Sequence, residues 1–147
     1  MIVRCIDDRG NPMIKLNQIY EIDNNLCDDI FVNVFIDDFW EEGVYASRFE
    51  EVTELRVGDI VQIDTKLKKS TLYTYHIGDD MLEFKSEYVT ISNIYSSLNV
   101  IEHKIKEDNE KFYWTKDMFE LFTKRRNIVI KKISSIDDIN IFELFNT

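Results

Sequence analysis

The chain is a succession of short apolar runs, separated by stretches rich in Asp, Asn, Ser and Gly. Runs of this length match β-strands and are too short for buried helices. In residues 30–36, the set Phe31, Asn33 and Phe35 alternates with the set Val32, Val34 and Ile36, so the two sets lie on opposite faces of a strand. The predicted strands are residues 2–6, 19–23, 30–36, 43–46, 57–63, 88–94, 99–105 and 112–114. Strands at this spacing predict a mainly β (α+β) protein built from small barrels.

Helices are expected to be few and short. The predicted helical segments are residues 47–50, 79–84, 116–123 and a final stretch up to Leu144. Thr115 stands where its hydroxyl can cap the third segment, and Ser135 begins a capping box for the last one. Residues 127–133 are predicted to form one more strand, so the C-terminal part differs from what precedes it.

Composition and charge narrow the class of protein. The chain has 147 residues, of which 44% are hydrophobic, so it can build a sizeable core. Its formal net charge is −10, and residues 1–52 hold most of the excess, with 12 acidic and 4 basic groups. Cys5 and Cys27 are too few for a disulfide framework or a four-cysteine zinc site, and both are expected to be buried thiols. No stretch approaches the roughly 20 apolar residues that span a bilayer, and residues 1–20 do not resemble a secretory signal, so we expect a cytoplasmic protein.

Two groups of residues are similar to the patterns of a known family. The first consists of Cys5-Ile6-Asp7-Asp8, Gln18-Ile19-Tyr20-Glu21-Ile22 and Tyr45-Ala46-Ser47-Arg48-Phe49-Glu50. The second consists of Val57-Gly58-Asp59-Ile60-Val61-Gln62-Ile63, Asp80-Met81, Tyr88-Val89-Thr90-Ile91 and Phe112-Tyr113-Trp114-Thr115-Lys116-Asp117-Met118. Each group resembles small SH3-like barrel proteins of bacteriophages and mobile elements.

The resemblance implies two small SH3-like β-barrel units, residues 1–52 and 55–122, followed by a C-terminal extension, residues 123–147. It also implies that Trp114 is a core residue. The turn before Tyr20 departs from the family pattern, because Asn17 and Gln18 replace the usual glycine. Asn accepts left-handed backbone angles, so the turn is expected to be preserved.

Catalytic chemistry is not expected. Restriction-type nucleases use a carboxylate followed by Glu-x-Lys, and two such sets occur, Asp64 with Glu83 and Lys85, and Asp80 with Glu102 and Lys104. Chance placement of Glu and Lys explains both sets. His76 and His103 have no Cys or His at ligand spacing, and we expect them to be partly exposed strand residues. No phosphate-binding loop or nucleophile motif is present, so we predict no enzyme, no cofactor and no metal.

Two surface segments are candidate binding sites. The first is an acidic hairpin tip in which four carboxylates surround two aromatic residues, namely Asp37, Asp38, Phe39, Trp40, Glu41 and Glu42. Exposed aromatic side chains in such a setting are typical of protein contacts. The second is a small basic patch that can pair with the acidic surface or with a partner, namely Lys124, Arg125, Arg126, Lys131 and Lys132.

These features favour a non-catalytic phage or mobile-element protein that binds another protein inside a bacterial host. An acidic surface can imitate nucleic acid and occupy a basic groove, so we expect an inhibitor of a nucleic-acid-targeting defence enzyme, of the anti-CRISPR kind. Direct nucleic-acid binding is disfavoured because it requires a basic face. The alternatives are a phage structural or housekeeping module that binds a peptide or a subunit and, less favoured, a metal-dependent nuclease.

Overall fold

A computed structural model of the chain describes residues 1–23, 30–70 and 72–124. The protein is mainly β, as predicted, and its strands form two antiparallel sheets. The strands are β1 (Ile2–Cys5), β2 (Ile19–Asp23), β3 (Phe31–Ile36), β4 (Phe39–Tyr45), β5 (Phe49–Glu51), β6 (Ile60–Gln62), β7 (Tyr88–Ser97), β8 (Val100–Ile105) and β9 (Trp114–Thr115). The described helical segments are 3₁₀ turns at Ala46–Arg48, Asp79–Phe84, Lys116–Met118 and Glu120–Phe122.

The first sheet has the strand order β4-β3-β2-β1-β5. Alternate residues of its strands point to one side, as the period of a strand requires, and form a core with Ile14. The buried strand residues of this first core are Val3, Cys5, Tyr20, Ile22, Val32, Val34 and Val44. The predicted separation of the two faces of β3 is confirmed, since Val32 and Val34 are buried on one face, and Cys5 is a buried thiol, as predicted.

The second sheet has the order β6-β7-β8-β9 and a core of its own. Trp114 and Phe119 are its largest fully buried side chains, which confirms the predicted burial of Trp114. The indole Nε1 of Trp114 donates a hydrogen bond to Asp108 at 2.9 Å, so the one polar atom of this side chain is satisfied. Met81, from the turn Asp79–Phe84, packs into the same core.

The two sheets meet along β1 and the beginning of β2, where side chains on both faces of the strands are packed. Val3 and Tyr20 point into the first core, whereas Ile19 lies in the second core and Ile2 packs against it. Arg4 also faces the second sheet, and its guanidinium makes two hydrogen bonds, of 2.6 and 2.8 Å, to the buried carboxylate of Asp59. Apolar packing and an ion pair thus join the two sheets.

Several boundaries differ from the predictions. Strand β4 begins at Phe39 instead of residue 43, so the aromatic and acidic residues after the turn belong to the strand. The predicted helix over 116–123 is two 3₁₀ turns. Thr115 is the N-cap of the first turn, as predicted; its side chain forms a capping box with Met118, and its hydroxyl donates to Asp117. The turn before Tyr20 agrees with the prediction, because Asn17, which replaces the usual glycine, has the left-handed φ of +69°.

His103 is a correction to the sequence-based prediction. It is buried, with 2% of its surface exposed, because the edge of its ring packs against Phe119 and its Nδ1 lies 3.0 Å from the carbonyl oxygen of Trp114. His76, by contrast, is exposed, but it lies between β6 and β7, whereas the prediction placed it in a strand.

Some predictions fall outside the described residues. They are the thiol of Cys27, the strand over 127–133 and the final helix after Ser135. Within the described part of the chain, no helix has the length and hydrophobicity needed to cross a bilayer.

Candidate protein interface

Strands β3 and β4 form a hairpin with a two-residue turn made by Asp37 and Asp38. Their φ angles are +48° and +70°, and Ile36 pairs with Phe39. Positive φ at both central residues is the geometry of a type I′ turn, which matches the twist of the flanking strands. Asp tolerates this conformation better than most residues. The turn therefore holds both carboxylates at the tip of the hairpin.

The two aromatic residues that follow the turn lie on opposite faces of β4. Trp40 pairs with Phe35, with ring centroids 5.2 Å apart, whereas Phe39 pairs with Ile36 on the other face. Trp40 is 45% exposed and Phe39 is 73% exposed. Both are accessible, but a flat partner surface can contact only one of them directly. Trp40 is the better anchor, because Phe35 holds its ring in place.

The outer face of the hairpin carries a second aromatic pair that the sequence analysis missed. The rings of Phe31 and Tyr45 lie 5.0 Å apart, and Tyr45 is 50% exposed. The pair depends on a register shift between Val32 and Val34, opposite Gly43, whose φ is +72°. A bulge of this kind places an extra residue in one strand. The alternation within β3 predicted that Phe31 and Phe35 share a face. It did not predict which residues of β4 lie opposite them.

The acidic side chains of the hairpin are not neutralised within the described residues. Asp37, Asp38, Glu41 and Glu42 form no ion pair there. The Tyr88 hydroxyl lies 3.4 Å from an Asp37 oxygen and donates to it. Burial, and next the negative charge of Asp37, raise the pKa of Tyr88. The hairpin therefore presents concentrated negative charge to solvent.

A cleft of about 240 Å³ lies between the two sheets, beside the turn of this hairpin. Its walls come from β2, β3 and the hairpin turn on one side, and from β6, β7 and the segment 119–122 on the other. The lining residues are Gln18, Ile19, Tyr20, Glu21, Phe35, Ile36, Asp37, Asp38, Val61, Gln62, Thr65, Tyr88, Phe119, Glu120, Leu121 and Phe122. Among these described residues there is no Lys, Arg or His.

A second, more open cavity of about 240 Å³ adjoins the cleft. It is lined by Glu83, Phe84, Glu87, Tyr88 and Glu107. Tyr88 belongs to the walls of both cavities, so they are neighbours. Acidic and aromatic residues are therefore exposed on the second sheet as well as on the hairpin.

The predicted basic patch is described only at its first residue. Lys124 is exposed, and its Nζ lies 3.6 Å from an Asp117 carboxylate oxygen. The other members, Arg125, Arg126, Lys131 and Lys132, lie outside the described residues.

Four of the six residues of the two Glu-x-Lys sets have structural contacts with other described residues, and one of them is Asp80, which pairs with Lys111. Glu102 accepts a 2.6 Å hydrogen bond from the Tyr75 hydroxyl, which is the main cause of the raised pKa of Tyr75. Lys104 donates to the Glu110 carbonyl and lies over the Tyr113 ring. Asp64 accepts from the backbone of Lys66 and from the Tyr73 hydroxyl. Within the described ranges, no three His, Cys, Asp or Glu side chains are grouped so that they could hold a metal ion.

Comparison of the chain with protein-family models, with curated proteins and with solved structures gave no match.

Proposed function

We propose that this protein acts without catalysis, by binding a basic protein partner through the β3–β4 hairpin. The observation that carries the proposal is the exposed Trp40, held by Phe35, beside four carboxylates that lack ion pairs in the described residues. Carboxylates on a rim accelerate encounter with a basic surface, and a central aromatic side chain supplies most of the binding energy. The hairpin combines both elements within six residues.

The partner class follows from the charge. Regular negative charge is what the groove of a nucleic-acid-binding enzyme recognises, because phosphate contacts dominate its affinity. A protein of net charge −10 that presents Asp37, Asp38, Glu41 and Glu42 at one tip can occupy such a groove. We therefore propose an inhibitor of a host nucleic-acid-targeting defence enzyme, of the anti-CRISPR kind, that a phage or mobile element makes in the bacterial cytoplasm.

The SH3-like assignment belongs to the same proposal. The strand order β4-β3-β2-β1-β5, with the 3₁₀ turn Ala46–Arg48 between β4 and β5, supports an SH3-like barrel for residues 1–52. For residues 55–122 the support is the compact antiparallel sheet β6-β7-β8-β9 around its own core. The fold alone does not specify a function, so the proposal rests on the hairpin.

A second candidate function is favoured by the aromatic pairs. Phe31 with Tyr45 and Phe35 with Trp40 form an aromatic row on the outer face of the hairpin. Exposed apolar rows of this kind are typical of contacts with a peptide or a subunit. A phage structural or housekeeping module would use this row, with the carboxylates serving solubility.

Salt dependence separates the two candidates. The full chain, immobilised through a tag, captures proteins from a bacterial lysate at low and at high salt, and mass spectrometry identifies them. A charge-mimic complex weakens steeply with salt, because screening shortens the range of its attraction, whereas an apolar complex weakens little. The matched control is the variant with Asp37→Asn, Asp38→Asn, Glu41→Gln and Glu42→Gln. Enrichment of a nucleic-acid enzyme that is lost in this variant supports the inhibitor; salt-resistant capture of another protein contradicts it.

A further inference from the structure

The cleft between the two sheets is suited to a ligand of a particular chemistry. Phe35 and Tyr88 contribute aromatic walls from opposite sheets, and Asp37 and Asp38 stand at the hairpin end of the cleft. A planar guanidinium stacks on aromatic faces and only donates hydrogen bonds, and carboxylates are its strongest acceptors. A cleft with both features matches an arginine side chain better than a neutral or an anionic group.

The charges around the cleft also favour a cationic ligand. Its described lining contains four carboxylates and no cationic residue. Some of these acids have structural partners; Glu120, for example, accepts from the backbone and hydroxyl of Thr65. Lys116 does not line the cleft, but its Nζ lies 4.6 Å from the centroid of the Phe122 ring, one of the lining residues. A ligand cation would therefore enter a strongly negative cleft.

The second cavity extends this surface beyond one side chain. Glu83, Glu87 and Glu107 line this cavity together with Phe84 and Tyr88. Glu83 and Glu87 are exposed, and neither forms an ion pair within the described residues. Two neighbouring cavities of the same character can receive two basic side chains of one extended segment.

We infer that this cleft and the adjoining cavity bind an arginine-bearing segment of the partner, with Tyr88 as the shared aromatic wall. The inference rests on the proposed function, because it identifies the part of a basic partner that lies beside the hairpin. In this arrangement Trp40 contacts the partner outside the cleft, and the cleft selects Arg at one or two positions of the bound segment. Lys binds more weakly there, because an ammonium has no flat face to stack on Tyr88.

The probe is a labelled peptide of about ten residues with two Arg-Arg pairs in a Gly-Ser background, and matched peptides carry Lys or Gln at those positions. Binding to the full chain is measured by fluorescence anisotropy and mapped by amide chemical shifts. We expect amide shifts concentrated at Phe35, Asp38 and Tyr88, and affinity in the order Arg, Lys, Gln. Equal affinity for the Arg and Lys peptides would contradict the stacking role of the cleft.

Two matched pairs of variants separate the cleft from general electrostatics. Glu83→Gln with Glu87→Gln removes two charges beside Tyr88, whereas Glu51→Gln with Glu54→Gln removes two exposed charges that line neither cavity. We expect the first double variant to weaken the Arg peptide about fivefold or more, and the second less than about twofold. Tyr88→Phe keeps the ring and should bind normally, and Tyr88→Leu should not. Equal weakening by both charge variants would overturn the inference.

The outcome also separates this inference from the proposed function. If Trp40→Ala abolishes capture of the partner while the Tyr88 and Glu83/Glu87 variants bind peptide and partner normally, the hairpin function stands and the cleft is wrong. If the cleft binds the Arg peptide but no basic protein requires the hairpin residues for binding, the proposed function is wrong. Neutralising the chain's own Arg125, Arg126, Lys131 and Lys132 should leave peptide affinity unchanged. An increase of about fivefold or more would assign the cleft to that segment and overturn its assignment to a partner.

Discussion

At the scale of single residues, the most informative side chains are polar ones that the fold buries. Arg4 and Asp59 are 4% and 3% exposed in their side chains, although each is a residue type normally found at the surface. His103 is enclosed by Phe119 and the Trp114 backbone. Each residue makes a hydrogen bond that compensates for burial, so each is a point at which one substitution affects the whole molecule.

We predict that His103 makes the stability of the protein depend on pH near neutrality. Burial is the main cause that lowers its pKa, with a smaller contribution from Lys116, against the hydrogen bond to Trp114. Below about pH 6.5 the unfolded chain binds a proton at this residue that the folded protein does not. The free energy of unfolding therefore falls as the pH drops through about 6.5, with a slope approaching about 1.4 kcal/mol per pH unit, and the fall ends below the folded-state pKa.

The measurement is urea unfolding of the parent and of His103→Asn between pH 5 and 8. Asn keeps a donor near the Nδ1 position but does not titrate, so this variant should lose the pH dependence in that window. His76→Asn, which changes the exposed histidine, is the control and should follow the parent. A parent and a His103→Asn variant with parallel pH profiles would show that the burial of this ring does not affect its titration.

A second residue-scale prediction concerns the ion pair between the sheets. Arg4→Met leaves the Asp59 carboxylate buried, while the backbone N–H of Arg56 still donates to it at 2.7 Å. Asp59→Asn leaves Arg4 its bonds to Glu50 and to the Glu54 carbonyl. We expect Arg4→Met to cost about 3–5 kcal/mol of stability and Asp59→Asn about 1–3 kcal/mol.

Chemical denaturation measures both costs, with Arg9→Met as the control. Arg9 also pairs with an aspartate, Asp7, but it is fully at the surface, so its loss should not change the unfolding midpoint. If Arg4→Met is no more costly than Asp59→Asn, the order of the two penalties is wrong and Asp59 finds another donor.

At the scale of elements, the β3–β4 hairpin determines what the surface offers to a partner. Its turn fixes Asp37 and Asp38 at the tip, its pairing places Trp40 against Phe35, and its bulge at Gly43 aligns Tyr45 with Phe31. Strand β4 lies at the edge of the first sheet. The carboxylates on it also discourage edge-to-edge association of copies of the chain.

We predict that charge and aromatic contacts on this hairpin affect different rate constants. The fourfold variant Asp37→Asn, Asp38→Asn, Glu41→Gln and Glu42→Gln should slow association with the partner, because rim charges steer encounter. Trp40→Ala should accelerate dissociation, since a buried anchor contributes on the order of 2 kcal/mol or more. Surface plasmon resonance with the captured partner separates the two rates.

Circular dichroism of both variants confirms that they are folded, and Phe39→Ala provides a comparison on the opposite face of β4. If the fourfold variant and Trp40→Ala both bind as the parent does, the hairpin is a solvated loop and not the site. The basic patch from Lys124 to Lys132 is then the next segment to test.

How much of this was predictable depends on the range of the interactions involved. The position of β3 and the separation of Val32 and Val34 from Phe31 and Phe35 onto opposite faces follow from local alternation, and the αL conformation of Asn17 follows from residue type. The start of β4 was missed because Phe39-Trp40-Glu41-Glu42 does not alternate between apolar and polar residues. The burial of His103, the aromatic pairs and the cleft were missed because each requires knowing which distant segment covers which face.

At the scale of the whole molecule, strands of the first sheet contribute side chains to the core of the second sheet. Strands β1 and β2 contribute alternate side chains to two cores, so the first sheet cannot separate without exposing Ile19 and breaking the Arg4–Asp59 pair. Asn17 also accepts a backbone hydrogen bond of 2.9 Å from Ile60 of β6. The cleft beside the turn of the hairpin also borders this junction, since Gln18 and Ile19 line it, and it keeps its shape only while the sheets remain docked.

The last prediction is therefore that the parent protein unfolds in one cooperative transition despite its two cores. In calorimetry the measured enthalpy should equal the van't Hoff enthalpy. Ile19→Ala removes a first-sheet side chain from the second core, at a cost of about 2–5 kcal/mol, and should resolve the unfolding into two transitions. Val34→Ala, in the centre of the first core, is the control, because it lowers the midpoint without touching the junction and should keep a single transition. Two transitions in the parent itself would mean that the contacts of Ile19, Arg4 and Asn17 are too weak to couple the sheets, and the cleft between them would then have no fixed shape with which to select a ligand.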